Sequence, residues 1–309
     1  MNSRLKKEAA EFNKIANLRK NKNISPDLKN KKTNHYFFNN PWRYNDTRQI
    51  GIKNKINFVI NNIRKNSKVL DVGCGTGTLS IELARANINY TGIDISAKSL
   101  NIAKDLAKNN LTNKQKKLIN FVKISLKEFS KSNEKYDAVI FFKTLHHLEK
   151  INEVTKIVKN LLNKNGKIII VEPVRNDLTN LNIIFAFIIR TLSDTWINKI
   201  KKISLAEKDI NKEIFRLFKE YKYISSKKGY DQSPMDNTIG SSELIINSIK
   251  KNFKIKKILF KDAFMDKIIG GIRGPLRKPQ VKFIELIDDY LIKKKIIPGL
   301  SLLLTAEKK

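Results

Sequence analysis

The stretch "VLDVGCGTGTLSIELA", residues 69 to 84, joins an apolar strand to an amphipathic helix through a turn with glycines at 73, 75 and 77. Its spacing decides which ligand such a turn serves. A dinucleotide fingerprint needs G-x-G-x-x-G, and the position three after Gly75 is Thr78, so the third glycine is misplaced for cradling a pyrophosphate. There is no G-x-x-x-x-G-K-[ST] phosphate loop either. What remains is a turn whose missing side chains let another molecule lie against the backbone, with Asp71 at its entrance and helix N–H groups beyond it. The next strand ends "TGIDIS", which places Asp94 21 residues after Gly73, where a carboxylate accepts hydrogen bonds from both hydroxyls of a ribose. The two features together point to an adenosine-bearing ligand without phosphates.

Outward from the turn the same alternation continues. Strand "KVLDV" feeds a helix over 77–86, strand "NYTGID" a helix over 96–109, and strand "LINFVKI" a short polar segment. "YDAVIFF" precedes a helix over 151–162, and "GKIIIVEP" closes the run. Five short apolar strands separated by helix-length segments predict βαβ units and a parallel sheet covered on both faces. Ligands of such sheets bind beyond the carboxyl ends of the strands. Upstream, residues 1 to 45 read as a helix, "RLKKEAAEFNKIANLRK", a polar linker and the aromatic cluster "HYFFNNPWRY". From 46 to about 64, Ile52, Ile56, Val59, Ile60 and Ile63 recur at helical spacing. After Pro173 the pattern changes, and residues 176 to 230 look helical, an insertion over the ligand edge built on "LNIIFAFIIRTL". Order returns with helix "SSELIINSIKKN", strand "FKIKKILFK", an amphipathic helix over 280–295 and a final strand "GLSLLLTAE". The expected division is a helical or lid segment 1–45, a ligand-binding core 46–175, a helical cap 176–239, and completion of the sheet over 240–309.

The 309 residues are 41% hydrophobic, which supplies enough apolar surface for a core. Cys74 is the single cysteine, so an internal disulfide framework is excluded; no Cys/His cluster has zinc-site spacing, and no metal is expected. No segment has the apolar run of a secretory signal or of a membrane span, so a soluble, cytoplasmic chain is expected. The net charge of +33 alone would suggest nucleic acid or an anionic membrane surface. Yet the basic residues are 51 Lys against 11 Arg, beside many Asn and Ile, as an A/T-rich coding sequence yields whatever the function. Arg, the better fork for phosphate and base edges, is not enriched, and a solvated lysine surface accounts for the charge more simply than a polyanion site.

With the glycine turn and the acidic strand tip in place, the sequence resembles the class I S-adenosyl-L-methionine-dependent methyltransferases. "VLDVGCGTG" matches their first motif, "YTGIDIS" the acidic strand tip, "YDAVIFFKTLHHL" their fourth-strand segment and "LLNKNGKIIIVEP" the approach to the fifth strand. The resemblance covers residues 46 to 175 closely and 240 to 306 in order of elements only. It implies an α/β fold, a doubly wound, seven-stranded, mostly parallel Rossmann-like sheet whose last strand runs antiparallel, with helix 280–295 inserted before that strand. It implies S-adenosyl-L-methionine as cofactor, with Asp71 and the turn Gly73, Cys74, Gly75 and Gly77 at its methionine end, Asp94 on the ribose and Ile95 beside the adenine. The family's third strand normally ends in an Asp for the adenine amino group; Ser125 stands here instead, which leaves backbone groups near Ser125 and Leu126. Phe141 and Phe142 occupy the turn that faces the methionine moiety.

The reaction that the resemblance implies is an in-line displacement, in which a nucleophile on the acceptor takes a methyl group from the sulfonium. Alignment supplies about 7 to 11 kcal/mol of the barrier, and a general base roughly 10² to 10⁴-fold. His146 and His147, just past the fourth strand on the acceptor side, have the suitable pKa, and His146 is the preferred base; bracing of the following helix is the alternative role. Glu172, ending the fifth strand, reads as a second polar group or as a helix-entry acid before Pro173. His35 lies in a region able to fold over the cofactor. Trp42, Tyr44, Phe37 and Phe38 form either a lid or ordinary packing of the N-terminal segment. The stretch Leu181 to Leu192, with Ile183, Ile184, Phe185, Phe187, Ile188 and Ile189, is too short to span a bilayer; it is a cap helix, or it lies at a membrane interface and admits a lipid-like acceptor. The expected acceptor is a small or lipid-like molecule. An RNA-directed methyltransferase is the alternative, against which "FFKTLHH" lacks the [DNS]PP[YFW] run of amino-methylating nucleic-acid enzymes and Cys74 is committed to the glycine turn. A non-catalytic binding protein is the third reading.

Overall fold

The computed structural model describes residues 3–21, 27–29, 38–193, 207–222 and 240–309. Among them, seven strands form one sheet: β1 (Lys68–Val72), β2 (Asn89–Asp94), β3 (Ile119–Lys123), β4 (Tyr136–Phe142), β5 (Leu162–Pro173), β6 (Phe253–Lys261) and β7 (Ser301–Lys308). Their order is β3-β2-β1-β4-β5-β7-β6, with parallel pairing throughout except that β7 runs antiparallel to both of its neighbours. This is the doubly wound, seven-stranded sheet expected from the sequence. β5 begins earlier than "GKIIIVEP" suggested: Leu162 pairs with Tyr136 across a register shift, drawing the polar run Asn163–Asn165 into the strand.

The helices are α1 (Ser3–Asn21), α2 (Asn54–Asn61), α3 (Thr78–Arg85), α4 (Ala97–Asn110), α5 (Ile151–Leu161), α6 (Asn180–Thr191), α7 (Glu207–Lys222), α8 (Ser242–Asn252) and α9 (Arg277–Lys293), with short helical turns between. Alternation along each strand sends successive side chains to opposite faces. Leu70, Val72, Ile168 and Ile170 point to the side covered by α5 and α8, while Val69, Ile169 and Val171 point to the side covered by α2 and α3. Both faces are covered, which is why the strands read as continuous apolar runs.

Beyond the end of β6 lies a separate cluster. It joins Ile183 and Ala186 of α6, Leu217 and Tyr221 of α7, the segment Ala263–Ile272, and Val281, Ile284 and Leu291 of α9. Polar pins hold it to the carboxyl edge of the sheet. Asn182 donates to the carbonyls of Ala263 and Pro298, and Lys55 of α2 makes a buried ion pair of 2.5 Å with Asp262. The described parts of the segment after β5, α6 and α7, therefore sit at the carboxyl edge of the sheet, beside β6 and β7. Asp288 of α9 is wholly buried and accepts the amides of Ala263, Phe264 and Met265 at 2.8 to 3.0 Å. Asp288→Ala leaves three buried N–H groups without a partner and is expected to cost about 3 kcal/mol of stability in urea unfolding; a loss within error of zero would mean that water or a shifted loop takes over those bonds.

Candidate functional site at the carboxyl edge of the sheet

The glycine turn follows β1 directly and bends back under β2. The amides of Gly73 and Cys74 both donate to the carbonyl of Ile93, at 2.8 and 3.1 Å. Gly73, Gly75 and Gly77 all have positive φ, +71°, +54° and +84°, a region costly for other residues. Their surroundings differ. A Cβ on Gly73 would overlap the side chain of Thr144, and one on Gly77 would lie 2.8 Å from Ala103 Cβ on α4. A Cβ on Gly75 would meet no protein atom within 4 Å. Two of the glycines thus serve the protein's own packing, and of the three only Gly75 faces open space.

Asp94 lies beside that opening. One carboxylate oxygen accepts the amide of Gly75 at 2.8 Å and the other that of Ser96 at 2.7 Å. Burial pushes its pKa up, while the amides of Ser96 and Gly75 pull the other way. The Ile95 amide also reaches the carboxylate, which leaves at least one of its roughly four acceptor sites for a further donor. Ile95 follows half-buried, and Ser96 caps α4 by accepting the amide of Ser99.

Asp71 lies below the turn rather than at its mouth. One of its oxygens accepts the Tyr90 hydroxyl at 2.7 Å, and the other is buried without a partner. Burial pushes the Asp71 carboxyl up to about 7, against the opposing pull of the Tyr90 hydrogen bond. Cys74 is buried under the same turn, its thiol pushed up by burial and then by Asp94 and Asp71, so it packs rather than reacts. A side-chain-free opening, a carboxylate braced beside it and a buried acid oxygen lacking a partner fit the adenosine-bearing cofactor read from the sequence.

The end of β4 divides its two aromatics. Phe142 is half-buried, but Phe141 packs wholly within the core, so only its backbone is available to the site, a correction to the expected aromatic pair. Ser125 is likewise occupied: its hydroxyl and Glu128 form a capping box, with hydroxyl to carboxylate at 2.7 Å. Leu126 is buried in the core. Neither side chain offers an adenine contact, and the backbone there remains the candidate.

Glu172 is the feature that the sequence reading undervalued. It is buried, and it is not a helix-entry acid. One oxygen accepts the amides of Thr144 and Leu145 at 2.6 and 2.5 Å, and the other meets Nδ1 of His146 at 2.6 Å. Thr144 in turn donates its hydroxyl to the carbonyl of Gly73 at 3.2 Å. One carboxylate therefore ties His146 to the glycine turn through a single residue. Because a carboxylate accepts at Nδ1, the neutral imidazole carries its proton there and leaves Nε2 as the basic nitrogen. The only advance signal for this was an acid at a strand end, next to a proline.

His147 stacks obliquely on His146, with ring centroids 3.9 Å apart, and faces the N-terminal helix. Phe12 meets its ring edge-on at 5.2 Å, and Glu8 lies 3.8 Å from its Nδ1. On the other side of α1, Asn13 Oδ1 accepts the Ser96 hydroxyl and the Lys98 amide, while Arg4 pairs with Glu149. α1 thus bridges the strand tip of Asp94 and the histidine pair. The aromatic segment packs against the protein itself. Arg273 donates to the Phe38 carbonyl and stacks on its ring, Arg277 lies 4.0 Å from the centre of the Tyr44 ring, and Trp42 borders the core. His35 and Phe37 lie outside the described residues.

Fold and site together define the class I S-adenosyl-L-methionine-dependent methyltransferase domain. The chain belongs to that family: a family model described as a methyltransferase domain matches residues 63–268. It is similar to the ubiquinone biosynthesis O-methyltransferase of Pelagibacter ubique, 33% identical over 166 residues, covering 54% of this chain and 64% of that one. A relative of the same name from Hydrogenovibrio crunogenus is 33% identical over 170 residues, covering 49% and 67%. The match spans 64% of the Pelagibacter relative's length and 44% of a Glaesserella parasuis relative's. Among solved structures, the [4+2]-cyclase SpnF shares the fold at a TM-score of 0.56, 15% identical and covering 96% and 94% of the two chains. The PH0226 protein of Pyrococcus horikoshii does so at 0.50, 16% identical and covering 94% and 99%.

Gly77→Ala, strained and overlapping Ala103, is expected to lower stability by about 2 kcal/mol or more. Gly75→Ala should cost only the roughly 1–2 kcal/mol of the left-handed backbone, with no added overlap, and weaken S-adenosyl-L-methionine binding in calorimetry, and Asp94→Ala should abolish that binding; full affinity in both would remove the ligand from this edge. The Asp71 carboxyl holds its proton more tightly folded than unfolded, so its contribution to stability is present below its ordinary pKa of 3.8 and is lost as pH rises through about 7. Urea titrations across that range should show stability falling with pH, less steeply in Asp71→Asn.

Proposed function

We propose that the protein transfers a methyl group from S-adenosyl-L-methionine to an oxygen of a small, lipid-like acceptor. The observation that carries this reading is the Glu172 carboxylate, which holds His146 with Nε2 basic and reaches the glycine turn through Thr144. The likeness to ubiquinone biosynthesis O-methyltransferases supports the choice of oxygen and of an apolar acceptor. When bound, the cofactor supplies an electrophilic methyl group on a sulfonium.

The residues of the chain do the rest. Gly75 and Asp94 would hold the nucleoside against the bare backbone, Asp71 would support the methionine end from beneath the turn, and the backbone of Gly73, Cys74 and Gly77 shapes the turn. Ile95 lies beside the base, the backbone at Ser125 and Leu126 flanks it, and Phe142 with the backbone of Phe141 borders the methionine moiety. His146 removes the acceptor's proton at Nε2; Glu172 stabilises the imidazolium that results and prevents the ring from turning. His147 joins the pair to α1. Alignment accounts for about 7 to 11 kcal/mol of the barrier.

The acceptor enters from the side of the insertion, within the four-part division 1–45, 46–175, 176–239 and 240–309. No helix among the described residues is long and apolar enough to cross a membrane. Leu181, Ile184 and Ile188 of α6, with Leu192 just past its end, recur along one exposed side, which supports peripheral contact with a membrane at 181–192.

The test is turnover of labelled S-adenosyl-L-methionine with extracted lipids and hydroxylated aromatics. His146→Ala should lower kcat by roughly 10²-fold with donor affinity retained. Glu172→Gln should lower kcat with donor affinity retained, since the carboxylate that orients His146 is lost. Unchanged turnover in both His146→Ala and His147→Ala would remove the base assignment, and label appearing in RNA alone would replace the acceptor class.

A further inference from the structure

Among the described residues, the large apolar side chains left exposed are not scattered. Of eleven, five fall between Leu276 and Ile296, four between Leu181 and Leu192, and one on α7, leaving only Leu244 elsewhere. α9 is apolar on two sides. Val281, Ile284 and Leu291 are buried in the cluster beyond β6. Phe283, Leu286 and Tyr290, spaced i, i+3 and i+7, stand 60%, 57% and 56% exposed on another side, and Leu276 continues their line toward the start of the helix. An apolar stripe of this kind on a surface helix marks a face that meets something.

The charges around the stripe say what. Each carboxylate of α9 is already engaged: Glu285 is bound by Lys282 at 2.8 Å, Asp289 by Lys261 at 2.7 Å, and Asp288 by backbone amides within the core. Lys278, Lys293, Lys294 and Lys295 are exposed around the stripe with no carboxylate partner among the described residues. Two copies of a chain carrying +33 would bring these lysine-ringed faces together against mutual repulsion. A surface with acyl chains below and phosphates above satisfies both parts of the face at once.

We propose that this side of α9 docks on an anionic lipid bilayer, with Phe283, Leu286 and Tyr290 at the boundary of headgroups and acyl chains and the flanking lysines on lipid phosphates. The inference deepens the peripheral contact read from α6, on which it rests, by naming a second element and the sign of the lipid charge; it is independent of which atom is methylated. α9 is the insertion between β6 and β7, so the catalytic edge and the docking face are carried by the same carboxyl side of the sheet.

The test is co-sedimentation of the full chain with mixed phosphatidylglycerol–phosphatidylcholine vesicles and with pure phosphatidylcholine vesicles. Binding is expected to the mixed vesicles only and to weaken with salt. The triple variant Phe283→Ser, Leu286→Ser, Tyr290→Ser should lose about tenfold or more in partitioning. Lys278→Glu, Lys293→Glu, Lys294→Glu combined should lose at least about tenfold. Both should retain the wild-type melting temperature and S-adenosyl-L-methionine affinity. Undiminished vesicle binding by the triple serine variant, with loss in Ile184→Ser, Ile188→Ser, would keep the α6 contact and overturn the role of α9. Equal binding to neutral vesicles would overturn the lysine assignment, and a dimer in sedimentation equilibrium that the serine variant abolishes would give the face to a second copy. Absence of wild-type binding to either vesicle would overturn both contacts.

Discussion

Glu172 accepts two amides with one oxygen and an imidazole nitrogen with the other, all within 2.6 Å, at the point where β5 ends and the turn after β4 begins. A buried carboxylate is tolerable only when such donors replace water, and here the donors belong to the loop that must be held still. The turn after β4 is thereby fixed relative to β5, and Thr144, held by its own amide, fills the space against Gly73 that a side chain at 73 would need. The direction of His146 and the packing of Thr144 against Gly73 follow from that one group.

The donor side is closed from a distance along the chain. α1 lies some 80 residues upstream of the strand tip that it covers, yet Asn13 satisfies both the hydroxyl of Ser96 and the amide of Lys98. Its other contacts, Phe12 and Glu8, reach His147. The same helix therefore touches both halves of the site. α1 thereby covers the strand tip of Asp94 and the histidine pair together.

The cluster beyond β6 is built differently. It has no strand of its own and is assembled from α6, α7, α9 and an irregular segment, pinned by Asn182, Asp288 and the Lys55–Asp262 pair. The sheet supplies a rigid platform, and the insertions supply surface. The fold alone does not fix the reaction, as the likeness to a [4+2]-cyclase illustrates; the braced histidine and the open Gly75 give methyl transfer its particular support.

The order of strands and helices was legible because each apolar run and each turn is a local matter: β-branched strands with alternating faces, Gly at positive φ, Ser96 capping α4. The placement of Asp94 at the tip of β2, next to the glycine turn after β1, could be read from the sequence, because the turn and the strand end are each marked locally and β1 pairs with β2 in parallel. The partners of Glu172, the burial of Phe141, the capping box that occupies Ser125 and the reach of α1 were not legible. They are contacts between residues distant in sequence, and Gly73 and Gly77 show why that matters: the same residue type, in the same turn, serves packing at two positions and faces open space at the third. The sequence by itself determined the backbone conformations that the turn can adopt; only tertiary structure decided what stands opposite each one, because packing neighbours are set by the whole chain and not by the local spacing.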